Sequence, residues 1–223
     1  MQRHVRSVAA VVAATFLIAG CSVFGTGGDT ETPDYAVVRT LTSGVEIRRY
    51  GERLAAETAV AATPSARNEA FRRLAGYIFG DNAGAEKIAM TTPVATAAAP
   101  AGAGERLPAP VATAARGGEL EMRFFLPGGI DPGAAPAPED PRVRLVEVPA
   151  ETLAVLRFSG RPSDARVAEK TDELMAALDR AGVDPAGRPQ AFFYDPPWTL
   201  PPLRRNEVAV AVATDPETGA EAD

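Results

Sequence analysis

Apolar residues in this chain change their spacing several times, and each change marks an element. The clearest run, residues 63–94, reads TPSARNEAFRRLAGYIFGDNAGAEKIAMTTPV. Ala66, Ala70, Leu74, Tyr77 and Ile78 recur at helical spacing, and Phe71 and Ala75 widen the stripe. Arg67, Asn68, Glu69, Arg72 and Arg73 fall mostly on the other side. Thr63 reads as an N-cap with Pro64 at the first helical position, and Gly80 as the left-handed stop. Ile88, Met90, Thr92 and Val94 then alternate with Lys87, Ala89, Thr91 and Pro93 as a strand would, with Pro93 confining it to an edge or a bulge. An amphipathic helix lying on such a strand closes the core of an α+β domain.

The pattern elsewhere is mostly of period two. Residues 35–41 and 45–50 predict a hairpin, and 54–61 a third strand leading into the helix. Leu120, Met122, Phe124 and Leu126 share one face of a strand that Pro127 and two glycines end. Residues 143–148 and 152–158 predict two more strands. Ser163 caps a second helix with Val167, Thr171, Leu174, Met175 and Leu178 as its buried stripe, stopped by Gly182. Strands at 190–194 and 207–212 close the domain. Each half is thus strands, one helix, then two strands, which points to a duplicated helix-on-sheet unit. Residues 95–119, nearly all Ala, Pro and Gly with a few charges, predict a surface insertion, and 214–223 an acidic disordered tail.

The N-terminus stands apart from this pattern. Arg3 and Arg6 precede an apolar run over residues 8–19 that is too short to cross a bilayer as a helix. Leu17, Ile18, Ala19, Gly20 and Cys21 have the form of a lipobox, the processing signal of bacterial lipoproteins. That resemblance implies a signal peptide over 1–20, an acylated Cys21 as the first mature residue, and a flexible tether over 21–33. Ser22 after the cysteine resembles the pattern of outer-membrane lipoproteins, with the domain in the cell envelope facing the periplasm. Cys21 is the only cysteine, so no intramolecular disulfide forms. Removing residues 1–20 takes two of the 23 basic residues and none of the 29 acidic ones, leaving 21 against 29. That balance argues against nucleic acid. The same cut removes His4, the only histidine, so a His/Cys zinc site and a Ser-His-Asp or Cys-His nucleophile are excluded from the mature chain.

Between the last two strands runs YDPPWTLPPLRRNEV, residues 194–208, with four prolines and the only tryptophan. YDPPW followed by RRNEV resembles the C-terminal signature of the SOUL/haem-binding protein family. AFRRLAGYIFGDN and KIAMTTPV resemble its other shared stretch, and VEIRRY, FFLP and VLRFSG fall in the expected order. The resemblance covers residues 34–213, with 95–119 as the main departure. It implies a distorted β-barrel made of two βαββ-type repeats with two flanking helices. It also implies non-covalent binding of haem or a related tetrapyrrole in a hydrophobic cleft beside the first helix, for carriage or sequestration and without catalysis. Carried onto this chain, the cleft takes Phe71, Leu74, Ala75, Tyr77 and Ile78, with Met90 and Trp198 at its edge.

Without a histidine, the iron is left to Met90, Met122, Met175, a tyrosine or no protein ligand. The family's basic helix positions fall on Asn68 and Gly76, so Arg72, Arg73, Arg204 and Arg205 become the candidate propionate partners, beside Arg67 and Lys87. No catalytic residue and no metal ligand is assigned. Three other functions stay open. The cleft could take another flat hydrophobic molecule, as in the effector-binding domains of drug-responsive regulators, where acidic residues would line the mouth. The chain could be an envelope interaction protein with a vestigial cleft. Glu69, Asp81 and Glu86 could in principle do acid–base work, although no spacing singles them out.

Overall fold

The computed structural model describes residues 30–41, 43–98 and 118–213. The signal peptide, Cys21, most of the tether and the tail lie outside these residues, so those expectations are not addressed by the fold. The described chain runs β1 (Tyr35–Thr40), β2 (Glu46–Tyr50), β3 (Arg53–Ala61), α1 (Ala66–Phe79), β4 (Val94–Ala98) and β5 (Glu119–Phe125). It continues as β6 (Arg144–Val148), β7 (Glu151–Phe158), α2 (Asp164–Ala181), β8 (Gln190–Phe193) and β9 (Asn206–Ala211). The strands form one antiparallel sheet in the order β1-β2-β7-β9-β8-β4-β5-β3-β6.

Outward from its middle, that order is symmetric. β8 and β4 are neighbours, flanked by β9 and β5, then β7 and β3, then β2 and β6. The repeated unit is therefore strand–strand–helix–strand–strand, with β1 added at the edge. The first strand of each unit pairs with the other unit: β2 with β7, and β6 with β3. The short turns after β2 and β6 thus cross between halves and draw the far ends of the sheet together. Arg53, just after the first crossing, forms an ion pair with Glu151, just after the second. Its guanidinium lies 4.6 Å from the ring centroids of both Tyr50 and Phe125, while its buried Nε has no hydrogen-bond partner. This closure curls the sheet toward a barrel, the α+β architecture of two repeats and two helices that the sequence implies.

Two clusters lie under the helices. Ala66, Ala70, Leu74, Tyr77 and Ile78 of α1 pack on Leu54, Ala56, Met122 and Phe124 of β3 and β5. Leu174, Ala177 and Leu178 of α2 pack on Ala154, Leu156, Val208 and Val210 of β7 and β9. A third cluster fills the inside of the curl with Tyr50, Phe125, Leu153, Val155 and Phe192. The Ser163 cap is present, its hydroxyl accepting from the Arg166 N–H at 3.3 Å. Gly182 ends α2 at φ 65°.

Three local expectations are corrected. α1 begins at Ala66 behind Ser65, not at Pro64, because residues 63–65 first close a turn in which the Ala66 N–H donates to the Thr63 carbonyl at 3.0 Å. Residues 87–93 are irregular and the strand starts only at Val94. Their N–H groups bond to a helix end and to the incoming chain rather than to a strand: Ile88 donates to the Ile78 carbonyl at 2.9 Å, and Thr92 to Glu31 at 2.8 Å. The span 95–119 also contains order at both ends, since β4 runs to Ala98 and β5 starts at Glu119. The rest of it lies outside the described residues.

Candidate functional site

The inner face of α1 is fully occupied by packing. Leu74 is 0% and Ile78 1% exposed, so neither reaches a ligand unless the helix lifts off the sheet. Tyr77 is equally buried, its hydroxyl donating to the Pro136 carbonyl at 3.0 Å, and burial pushes its pKa up. The flank of the same helix differs. Phe71 is exposed, with its ring edge-on to Phe124 at 5.2 Å, and Ala75 is half-buried. Ile88, Met90 and Val94, also half-buried, lie along the margin of that cluster. Phe71, through Phe124, and Ala75 and Met90 each border the α1 cluster, whereas Leu74, Tyr77 and Ile78 are buried within it. Trp198 stands exposed in the loop between β8 and β9.

The sheet explains why a surface is open there. α1 lies on β3 and β5, and α2 on β7 and β9, so β4 and β8 form a strip between the helices. Phe124, Val94, Phe193 and Asn206 are register partners across β5, β4, β8 and β9. Directly paired residues share a face, so Val94 and Phe193 face the helix side, where both are only half-buried. Sequence reasoning missed Phe193, because a strand pattern alone does not say which strands a helix covers. Arg67 spans the strip: its guanidinium lies 5.4 Å from the Phe193 ring, donates to the Pro162 carbonyl at 3.1 Å and pairs with Asp164 at 2.6 Å.

Asn82 fixes the wall that carries Met90. Its buried amide donates to the carbonyls of Tyr77 and Glu86, both at 2.8 Å, and accepts from the Glu86 N–H at 3.0 Å. Thr91 then donates its hydroxyl to the Phe125 carbonyl, which fastens the far end.

The four candidate propionate partners divide sharply. Arg73 is committed to Glu69, to the Thr58 hydroxyl and to the Ala59 carbonyl. Arg204 donates to the carbonyls of Pro197 and Thr199. Arg205 pairs with Glu207 at 2.8 Å inside the curl, over the Tyr194 ring at 3.9 Å. Arg72 alone is exposed, bonding only back to its own helix at Asn68. At Gly76, a side chain would meet the Asp81 carboxylate, 2.4 Å from where a Cβ would stand. The space beside Gly76, where the resemblance implies a basic side chain, is therefore taken by an acid.

Inside the curl lies a second polar group. Glu207, fully buried, accepts from Arg48 at 3.0 Å, from the Tyr194 hydroxyl at 2.6 Å, and from Arg205 at 2.8 and 3.0 Å. Burial lowers the Arg48 pKa, but Glu207, Tyr50 and Glu46 outweigh it and the net shift is upward. Burial, then Glu207, push Tyr194 well above its ordinary value. Every acceptor of Glu207 is used, so it offers no free charge to a ligand. A separate cavity of about 480 Å³ opens where the incoming chain, residues 31–34, meets the β2–β3 turn and residues 126–130. It carries Glu31, Asp34, Glu52 and Arg53, and none of the cleft residues expected from the sequence. Among the described residues no cluster of three or more His, Cys, Asp or Glu side chains is placed to hold a metal.

The chain matches a family model described as SOUL heme-binding protein over residues 30–211. No curated protein matches it. Among solved structures it is similar to the EcmrR C-terminal domain, at 13% identity and TM-score 0.54, covering 77% of this chain and 98% of that one. It is also similar to an uncharacterized conserved protein from Listeria innocua, at 9% identity and TM-score 0.55, covering 83% and 94%. A hydrolase from Listeria innocua aligns at 10% identity and TM-score 0.52, covering 82% and 93%. At these identities the likeness is one of fold.

Proposed function

We propose that this chain, which belongs to the SOUL heme-binding protein family, binds haem or a related tetrapyrrole reversibly and without a covalent bond. In this reading it is anchored to the outer membrane through an acylated Cys21, faces the periplasm, and carries or sequesters its ligand without transforming it. The observation that carries the reading is the apolar strip between the helices, floored by Val94 and Phe193 and walled by Phe71, Ala75 and Met90. The residues fit a flat macrocycle held by its faces. They do not fit iron held by imidazole, because the described residues contain no histidine. In this reading Arg67, over the Phe193 ring, exchanges Asp164 for a ligand carboxylate, and the exposed Arg72 is the second candidate for the propionates.

A haem titration followed by the Soret band tests this. Binding should saturate at one haem per chain, and Phe71→Ser should weaken it about tenfold, the effect of one lost apolar contact of ~1.5 kcal/mol. The melting temperature should fall only slightly, since Phe71 is exposed and loses one edge-on contact with Phe124. A non-saturating signal, or one indifferent to Phe71, would refute the strip as the site. A second reading rests on the cavity at residues 31–34 and 51–54, where three acids and one committed arginine favour a flat cation over haem. Saturable binding of a lipophilic cation that leaves the Soret titration unchanged would support that reading.

A further inference from the structure

We propose that the loop between β8 and β9 is a membrane-docking finger whose tip, residues 196–203, enters the interfacial layer of a lipid bilayer. The tip reads PPWTLPPL and carries no charge. Trp198, Leu200 and Leu203 are 82%, 66% and 70% exposed, an apolar display that nothing else among the described residues covers. Four prolines hold the tip rigid and bring no N–H with them. Five of its eight carbonyls are already satisfied. Pro196 accepts from the Thr199 N–H at 3.0 Å, Leu200 from Leu203 at 2.9 Å, and Pro201 from Gly160 at 2.9 Å and Arg204 at 3.2 Å. The Arg204 side chain serves the carbonyls of Pro197 and Thr199. A backbone with most of its acceptors paired loses less on leaving water, and Trp with its N–H at the headgroup level is the residue that such layers favour.

The position of the incoming chain singles out a lipid surface as the occupant. Val94, the first residue of β4, is paired with Phe193, the last of β8. The chain just before Val94 carries Glu31, bridged to Thr91, and the chain just after Phe193 becomes the loop. The tether and the finger therefore leave the same end of the sheet. Residues 22–30 span at most about 30 Å, which keeps that end near whatever holds Cys21. The inference rests on the anchored reading above.

The purified protein, as the cell processes it, is mixed with vesicles of phosphatidylethanolamine and phosphatidylglycerol bearing brominated acyl chains. Trp198 is the only tryptophan, so its emission reports on the finger alone. A blue shift with bromine quenching is expected. Leu200→Ser with Leu203→Ser should weaken vesicle partitioning of the finger about a hundredfold, about tenfold for each leucine. Emission that stays water-like in vesicles overturns the proposal, as does a vesicle response untouched by the two serines. Quenching by haem without any response to brominated lipid overturns it too, and makes the loop a lid on the tetrapyrrole strip. Mass spectrometry of the mature N-terminus reads the anchor separately. An unacylated chain would sink the anchored reading, and the emission experiment would then decide the finger alone.

Discussion

Replacing Glu207 by glutamine tests how the inside of the curl is held. The change keeps the shape of the side chain and removes its charge, leaving Arg48 and Arg205 facing a neutral amide. Arg205 has a quarter of its side chain exposed and can turn to water, whereas Arg48 has only 4% exposed and cannot. Breaking a buried pair from one side costs about 3–5 kcal/mol. Arg48 retains Glu46 at 2.8 Å, so the lower end, about 3 kcal/mol, is expected. At about 2–4 °C per kcal/mol for a domain of this size, the melting temperature should fall by roughly 6–12 °C. Adding Arg48→Met removes the stranded cation, so the double variant should recover much of the loss, with a coupling of at least ~1 kcal/mol. Urea melts of the four proteins give that coupling directly. A Glu207→Gln loss below about 1 kcal/mol, or strictly additive effects, would refute the view of Glu207 as a closed charge pair and would reopen the interior as a ligand site.

Asn82→Ala should cost about 2–3 kcal/mol, because it strands the Tyr77 and Glu86 carbonyls and the Glu86 N–H. It should also speed hydrogen exchange at the Ile88 N–H, and unchanged exchange there would show that the wall is held by something else. Asp140 gives a pH signature. Bonds from the Arg142 side chain and N–H hold its carboxyl at about 2, below its ordinary 3.8. A depressed carboxylate stabilises the fold above its unfolded pKa and loses that stabilisation as pH falls through the folded one, here between about 4 and 2. Solvent reaches the group, so the amount is below ~1 kcal/mol. Asp140→Asn should lower stability slightly at neutral pH and remove that part of the acid loss, and an acid melt with the same slope as the parent would count against it.

The elements were legible in the sequence because their periods are clean. The α1 stripe of Ala66, Ala70, Leu74, Tyr77 and Ile78 is the buried face in the structure, and Ser163 and Gly182 bound α2 as read. What the sequence could not carry was the difference between a stripe that packs and a stripe that binds. Both are apolar, and only the neighbouring strands decide between them. Leu74 and Ile78 lie over β3 and β5 and disappear into the core, while Phe71, on the flank of the helix against the Phe124 ring, stays open. The alternation over residues 87–94 misled for a related reason. Period two describes extended chain, but a strand also needs a partner for its N–H groups, and here α1 and Glu31 supply them.

Duplication itself sets where a ligand can lie. Each unit brings one helix, which covers two strands of its own half, so the strands at the junction, β4 and β8, receive none. The exchange of β2 and β6 between units closes the opposite face, and Tyr50, Phe125, Phe192 and the Glu207 ion pairs fill it. One face of the junction is therefore used up by folding while the other remains half-covered. In this chain the apolar surface left half-covered lies between the helices, on the strip of β4 and β8. The interior charges are paired, which is why Phe71 and Phe193, and not Glu207, are the residues on which ligand binding should turn.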